Sequence, residues 1–327
     1  MIVVDRIDSA HLARNLLGNP SQRDLVVYLP PSYGTSDRRY AVAYLLHGYS
    51  SRAMNWPLPP ALTFAAVRTP IDVLLDEAIA AAKAEEMIVV MPDGWSKHGC
   101  GMWVDSPTTG SFERYVVEDV IGHVDATYRT LPDRDSRGVF GVSAGGFGTW
   151  HLGSRNPDTF GAMAVISGSA AFEITRKPWF YRYYDKIHPR ELAGPLAGDI
   201  GSWFCYGLAA AYTPNPAKPP FYSDFPVEYP SGDDVPALWE RWRSFDPVVN
   251  WRERSENLKR QRGILLDVGF RDELDYAYGN RILSRHLRAA GIRHDYEEHD
   301  GNHTNRMFER VQRAYGWLGT VLEHRKG

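Results

Sequence analysis

The chain has 327 residues, 37 basic and 40 acidic side chains, a formal charge of −3, and 43% apolar residues against 24% charged. That balance suits a globular protein with a sizeable core and excludes a disordered chain or a collagen-like fibre. The longest basic clusters, Arg38-Arg39, Lys259-Arg260 and Arg325-Lys326, are too short to track a phosphate backbone, and no apolar run approaches the ~18 residues of a membrane span, so neither nucleic acid nor a bilayer is an expected partner.

Met1–Pro20 alternates apolar with charged residues and has neither an apolar signal core nor a small-residue cleavage site, so it reads as no secretory signal and the cytoplasm is the default location. Aliphatic runs at Asp24–Leu29 and Tyr40–His47 predict strands. A helical pattern over Ile71–Glu86 follows, then a strand at Met87–Met91. Val117, Ile121, Val124 and Tyr128 form the apolar stripe of a second helix, and strands are expected at Gly138–Val142 and Ala162–Ile166. Past residue 250 come a strand at Gly263–Val268, a helix marked by Leu274, Tyr278, Ile282 and Leu287 that stops at Gly291, a strand at His294–Glu298, and a last helix carrying Phe308, Val311, Tyr315, Leu318 and Leu322. The alternation predicts an α/β fold, a mostly parallel central sheet with helices on both faces.

Residues 171–250 break that rhythm. They hold 11 of the 22 prolines and 17 aromatic residues, a density that predicts no long helix and no central strand but is too aromatic for a flexible linker. The segment is expected to be an ordered lid inserted in one catalytic domain spanning 1–327. Cys100 and Cys205 are too few for a disulfide framework and too far apart for a metal or redox pair.

Gly141-Val142-Ser143-Ala144-Gly145 lies between a predicted strand and a predicted helix, the setting in which a strained turn exposes a serine hydroxyl. The glycines follow from that geometry, because a side chain on either flank would meet the adjoining strand or helix. A serine needs a base, and in this chain order the acid and the histidine lie downstream. His303 follows a Gly-Asn turn where a loop can present its imidazole; His299 continues from a strand and is the weaker candidate. Asp272, just past the strand at Gly263–Val268, stands at the edge where catalytic groups gather, whereas Asp267 falls inside the strand and points into a core layer; Glu273 is a lesser competitor. The oxyanion donors are expected to be the backbone amides of Ala144 and of Tyr49 in Tyr44-Leu-Leu-His47-Gly48-Tyr49, with His47 buried and shaping that loop. Trp179, Trp203 and Phe204 of the insertion are expected to overhang the pocket, with Trp103 as an opposite wall. His299 and His303 enclose Asp-Gly-Asn, a loop and not a helical zinc site, and no metal or organic cofactor is implied.

Taken together, Val27-Tyr-Leu-Pro-Pro-Ser-Tyr33, Tyr44-Leu-Leu-His-Gly48, Met91-Pro-Asp-Gly94, Gly141-Val-Ser-Ala-Gly-Gly146, Asn156-Pro-Asp-Thr-Phe160 and Gly301-Asn-His303 resemble the putative-esterase family of α/β-hydrolases, over roughly residues 5–320. That family includes S-formylglutathione hydrolase (esterase D), feruloyl and acetylxylan esterases, enterochelin-type esterases and bacterial mycolyltransferases. The resemblance implies an α/β-hydrolase fold, Ser143 as nucleophile, Asp272 as acid, His303 as base, and the Tyr49 and Ala144 amides as oxyanion donors. Ala144 stands where the family commonly has Met, Gly-Asn-His replaces the usual Gly-Gly-His, and the 171–250 insertion exceeds the compact core.

The reading is a serine hydrolase of small-molecule carboxylic esters, short-chain acyl or aryl, with no cofactor and with homo-oligomerisation open. An acyltransferase or thioesterase using the same triad is the alternative within the class, separable by product analysis with competing alcohols or glutathione thioesters. A non-catalytic binding module is the alternative outside it, and a complete Ser-Asp-His order counts against that.

Overall fold

The aliphatic runs pair into one eight-stranded sheet in the computed structural model, which describes residues 1–58, 69–187 and 199–324. Its strands are β1 (Ile2–Asp8), β2 (Gln22–Tyr28), β3 (Val42–Leu46), β4 (Ile88–Pro92), β7 (Arg137–Val142), β8 (Ala162–Ile166), β9 (Gly263–Gly269) and β10 (Asp295–His299), while β5 (Asp105–Ser106) and β6 (Gly110–Ser111) make a separate short ribbon. The spatial order is β1-β2-β4-β3-β7-β8-β9-β10. β2 runs antiparallel to both neighbours, and every pair from β4 to β10 is parallel.

Alternation along the strands decides which residues face which helices. Val42, Tyr44, Leu46, Ile88 and Val90 join one apolar layer with Val120, Ile121, Phe147, Trp150, Leu283 and Leu287, from the helices Ile121–Thr127, Ala144–Arg155 and Tyr276–Ala289 and the turn before the first of them. Ala43, Leu45, Val89 and Met91 join the other, against Leu74 and Leu75 of the helix Ile71–Ala80 and Val311, Tyr315 and Leu318 of Met307–Val321. Each fully buried aliphatic side chain in these layers contributes roughly 1.5–3 kcal/mol. The mostly parallel sheet covered on both faces is therefore the architecture that the apolar runs predict.

Several local differences have physical reasons. β1 was not among the expected strands: its mixture of apolar and charged residues belongs to a half-exposed edge strand, paired in register from Ile2 with Tyr28 to Asp8 with Gln22. The helix expected over 71–86 ends at Ala80, where Ala82 takes φ +54° and the Lys83 amide closes onto Ala78 O at 2.9 Å. The stripe at Val117–Tyr128 begins as a π-helical turn over Tyr115–Val120, which shifts the buried face so that Val116 and Val120 are enclosed and Val117 is only partly covered.

The insertion is ordered where it is described; residues 188–198 of it lie outside the described residues, as do Arg325 and Lys326. The expectation of no long helix is corrected by the 13-residue helix Ile200–Tyr212. Prolines flank that stretch and none lies within it, and the Asp199 carboxylate accepts the Gly201 amide at 3.2 Å to cap its start. Aromatic side chains then lock the segment together, with Tyr212 edge-on to Trp242 at 5.0 Å and Tyr206 against Phe225 at 5.0 Å. Among the described residues no helix is long and apolar enough to cross a membrane.

Candidate active site

Ser143 sits between β7 and the helix Ala144–Arg155 with φ +57° and ψ −114°, a conformation that a residue with a side chain adopts only when its surroundings impose it. The clamp is visible in the hydrogen bonds: the Ser143 amide donates to Ile166 O and the Phe147 amide to Ser143 O, both at 2.9 Å. A methyl on Gly145 would stand 2.1 Å from Leu46 O, and one on Gly141 would stand 2.7 Å from the Gly145 carbonyl, so the turn closes only with glycine at both positions. The serine hydroxyl is thereby held at the carboxyl edge of the central strands.

The two downstream loops arrive at the same edge. Asp272 follows β9, its carboxylate fully enclosed and oriented by the Leu274 amide at 2.9 Å. His303 follows β10; its amide donates to Glu273 Oε2 at 3.0 Å, and Tyr276 stands edge-on to its ring at 5.1 Å. The imidazole bridges the other two groups, with Nδ1 2.8 Å from Asp272 Oδ2 and Nε2 2.9 Å from Ser143 Oγ. Glu273 thus touches the loop backbone and not the imidazole.

The early loop is shaped by His47, which is fully buried. The Gly94 amide donates to its Nε2 at 2.8 Å, so Nδ1 carries the proton and donates to Gly48 O at 2.8 Å. Gly48 O and the Tyr49 N–H belong to one peptide plane, and holding one end orients the other. Among the described residues neither the Tyr49 nor the Ala144 amide has an acceptor.

A cavity of about 390 Å³ opens over Ser143 and His303, bounded by Trp56, Ile166, Met307 and Phe308 and by Trp179, Ile200, Phe204 and Tyr276. Trp179 and Phe204 thus lie where the aromatic insertion was expected to put them, in edge-to-face contact at 5.1 Å. Two expected wall residues lie elsewhere. Trp103 is fully buried under the early loop, filling the space left by Gly94 and Gly148 and donating its indole N–H to His47 O at 3.3 Å, so it props the loop from below. Trp203, one residue before Phe204, turns away from the cavity: it packs edge-on to Tyr49 at 5.6 Å and donates to Lys97 O at 3.1 Å. Sequence reasoning missed Trp56, Tyr276, Ser167 and Arg310 on the cavity wall. Tyr276 carried a signal, four residues past Asp272 at a helix start; Trp56 carried none, because its short turn has no periodic pattern.

The chain is 30% identical over 146 residues, 43% of its length, to an endo-1,4-beta-xylanase/feruloyl esterase of Xylanibacter ruminicola, and that match spans only 19% of the relative. A solved ferulic acid esterase superposes with a TM-score of 0.61 at 22% identity, covering 98% of this chain and 97% of that one. An S-formylglutathione hydrolase of Staphylococcus aureus gives 0.61 at 17% identity, covering 98% of each chain. The fold is that of the α/β-hydrolase esterases. With the family profile described as Putative esterase matched from residue 19 to residue 311, the protein belongs to the Putative esterase family.

Proposed function

We propose that the protein hydrolyses carboxylic esters through an acyl-enzyme. The observation that carries this reading is the continuous path from Asp272 Oδ2 to His303 Nδ1 at 2.8 Å and from His303 Nε2 to Ser143 Oγ at 2.9 Å, opening on an apolar cavity. Ser143 Oγ attacks the ester carbonyl as His303 Nε2 takes its proton. Asp272 holds the Nδ1–H tautomer and stabilises the imidazolium, which returns the proton to the leaving alcohol. A water, deprotonated in turn by His303, attacks the acyl carbonyl and releases the acid with Ser143 restored. The Tyr49 and Ala144 amides donate to the oxyanion formed in both halves, a contribution of about 3–4 kcal/mol per donor in comparable sites.

The acyl group this reading favours is short or a flat aryl ring. A cavity of about 390 Å³ walled by Trp56, Trp179, Phe204 and Phe308 supports it, since rigid rings leave a slot and not a long groove. The test is Ser143→Ala assayed with p-nitrophenyl acetate. Loss of turnover with an unchanged melting temperature is expected, and normal turnover in the variant would overturn the mechanism.

A further inference from the structure

The inserted segment brings a cation against the back of the cavity wall. Arg176 is fully buried; its Nη1 donates to the Tyr276 hydroxyl at 2.8 Å, its Nη2 to Ser169 Oγ at 2.6 Å, and its Nε has no partner. Its guanidinium lies 4.8 Å from the Phe204 ring and 5.4 Å from the Tyr276 ring, and no carboxylate pairs with it among the described residues. Burying a cation costs several kcal/mol unless it is compensated. Elsewhere in the same core Arg310 meets that cost with Asp267; Arg176 is turned onto a phenol and π faces instead.

The phenol is left with an unspent donor. Tyr276 oxygen accepts from Arg176 through a lone pair, so its own hydrogen points elsewhere, and it finds no acceptor among the described residues. Burial pushes the phenol up, which keeps that hydrogen in place. The ring lines the cavity and stands edge-on to the His303 imidazole. In the reaction above, that imidazole hands the proton to the leaving oxygen, so its neighbour Tyr276 belongs to the leaving-group side.

Resting on the ester-hydrolase reading, we propose that Tyr276, held by Arg176, donates a hydrogen bond to a neutral oxygen carried by the substrate's alcohol portion, and so selects oxygenated leaving alcohols over alkyl ones. The probe pair is n-butyl acetate and 2-methoxyethyl acetate, which differ by one methylene replaced by an ether oxygen. The ratio of their kcat/KM values, followed by proton release and divided by the ratio of their hydroxide-catalysed rates, removes intrinsic reactivity. A corrected preference of about two- to tenfold for the methoxyethyl ester is expected in the wild type, the range a neutral hydrogen bond supplies. It falls to near unity in Tyr276→Phe, and it also drops in Arg176→Met, where the hydroxyl loses its anchor. A wild-type ratio equal to the hydroxide ratio overturns the proposal even if neither variant folds, as does an undiminished preference in Tyr276→Phe. p-Nitrophenyl acetate assayed alongside separates the failures: no turnover of it by the wild type counts against the hydrolase reading, whereas turnover with a ratio of one counts against Tyr276.

Discussion

Arg310 Nε donates to Asp267 Oδ1 at 2.6 Å within the core beside the central sheet, and its Nη2 reaches Ser167 Oγ at 2.9 Å. Five residues further along, Asp272 meets His303 instead. The strand interior and the loop beyond it therefore give two aspartates different partners: one neutralises a buried cation, the other orients an imidazole.

This separation predicts opposite phenotypes. Asp272→Asn lowers kcat by about 10²–10⁴-fold with little change in melting temperature, because the amide disfavours the required tautomer. Asp267→Asn leaves Arg310 buried without an anion and costs about 3–5 kcal/mol of stability, with the remaining folded protein still active. Parallel kinetics and thermal melts check both, and the reverse pattern would exchange the two assignments.

The His47 ring predicts a kinetic effect without substrate contact. His47→Leu releases Gly48 O and lets the Tyr49 peptide rotate, so kcat falls by about 10²-fold while KM moves little. His47→Asn, whose amide nitrogen reaches the same carbonyl, recovers part of the loss. Equal kcat in the Leu variant and the wild type would mean that the Tyr49 amide is held by other contacts.

The cavity predicts a chain-length preference. In a series of p-nitrophenyl esters, acetate to butyrate should exceed laurate in kcat/KM, with each methylene that fails to fit costing about 1–3 kcal/mol. Rising activity with chain length would show that the insertion walls an open groove.

The sheet and the chemical groups were legible because both obey local rules. Strands reveal themselves by β-branched runs, and the Gly-Ser-Gly turn by a steric demand that Leu46 O enforces. What sequence could not give was direction. Trp203 and Phe204 are adjacent in one helix, and a helix advances by about 100° per residue, so only one of them can face the cavity. Trp103 was misplaced because its partners, Gly94 and Gly148, come from separate elements and leave a hole only after folding. β1 was overlooked because an edge strand carries charges.

Acid stability has a specific source. Burial alone would raise the Glu113 carboxyl, but hydrogen bonds from His151 and Asn156 and the charge of Arg155 bring it down to about 2. A depressed folded value means that the stabilisation is complete above the ordinary glutamate value of about 4.3 and is lost as pH falls towards the folded value. Urea titrations of wild type and Glu113→Gln should therefore show a stability gap at pH 7 that closes below about pH 2–3. A gap independent of pH would mean that the glutamate acts through shape alone.

The most direct measurement is labelling of the intact protein with a fluorophosphonate, followed by mass spectrometry of the peptide that carries the adduct. The account predicts one covalent adduct on Ser143, absent in Ser143→Ala and formed far more slowly in Asp272→Asn, since the nucleophile is activated through His303. An unlabelled Ser143 in folded protein, or an adduct on another serine, would contradict it.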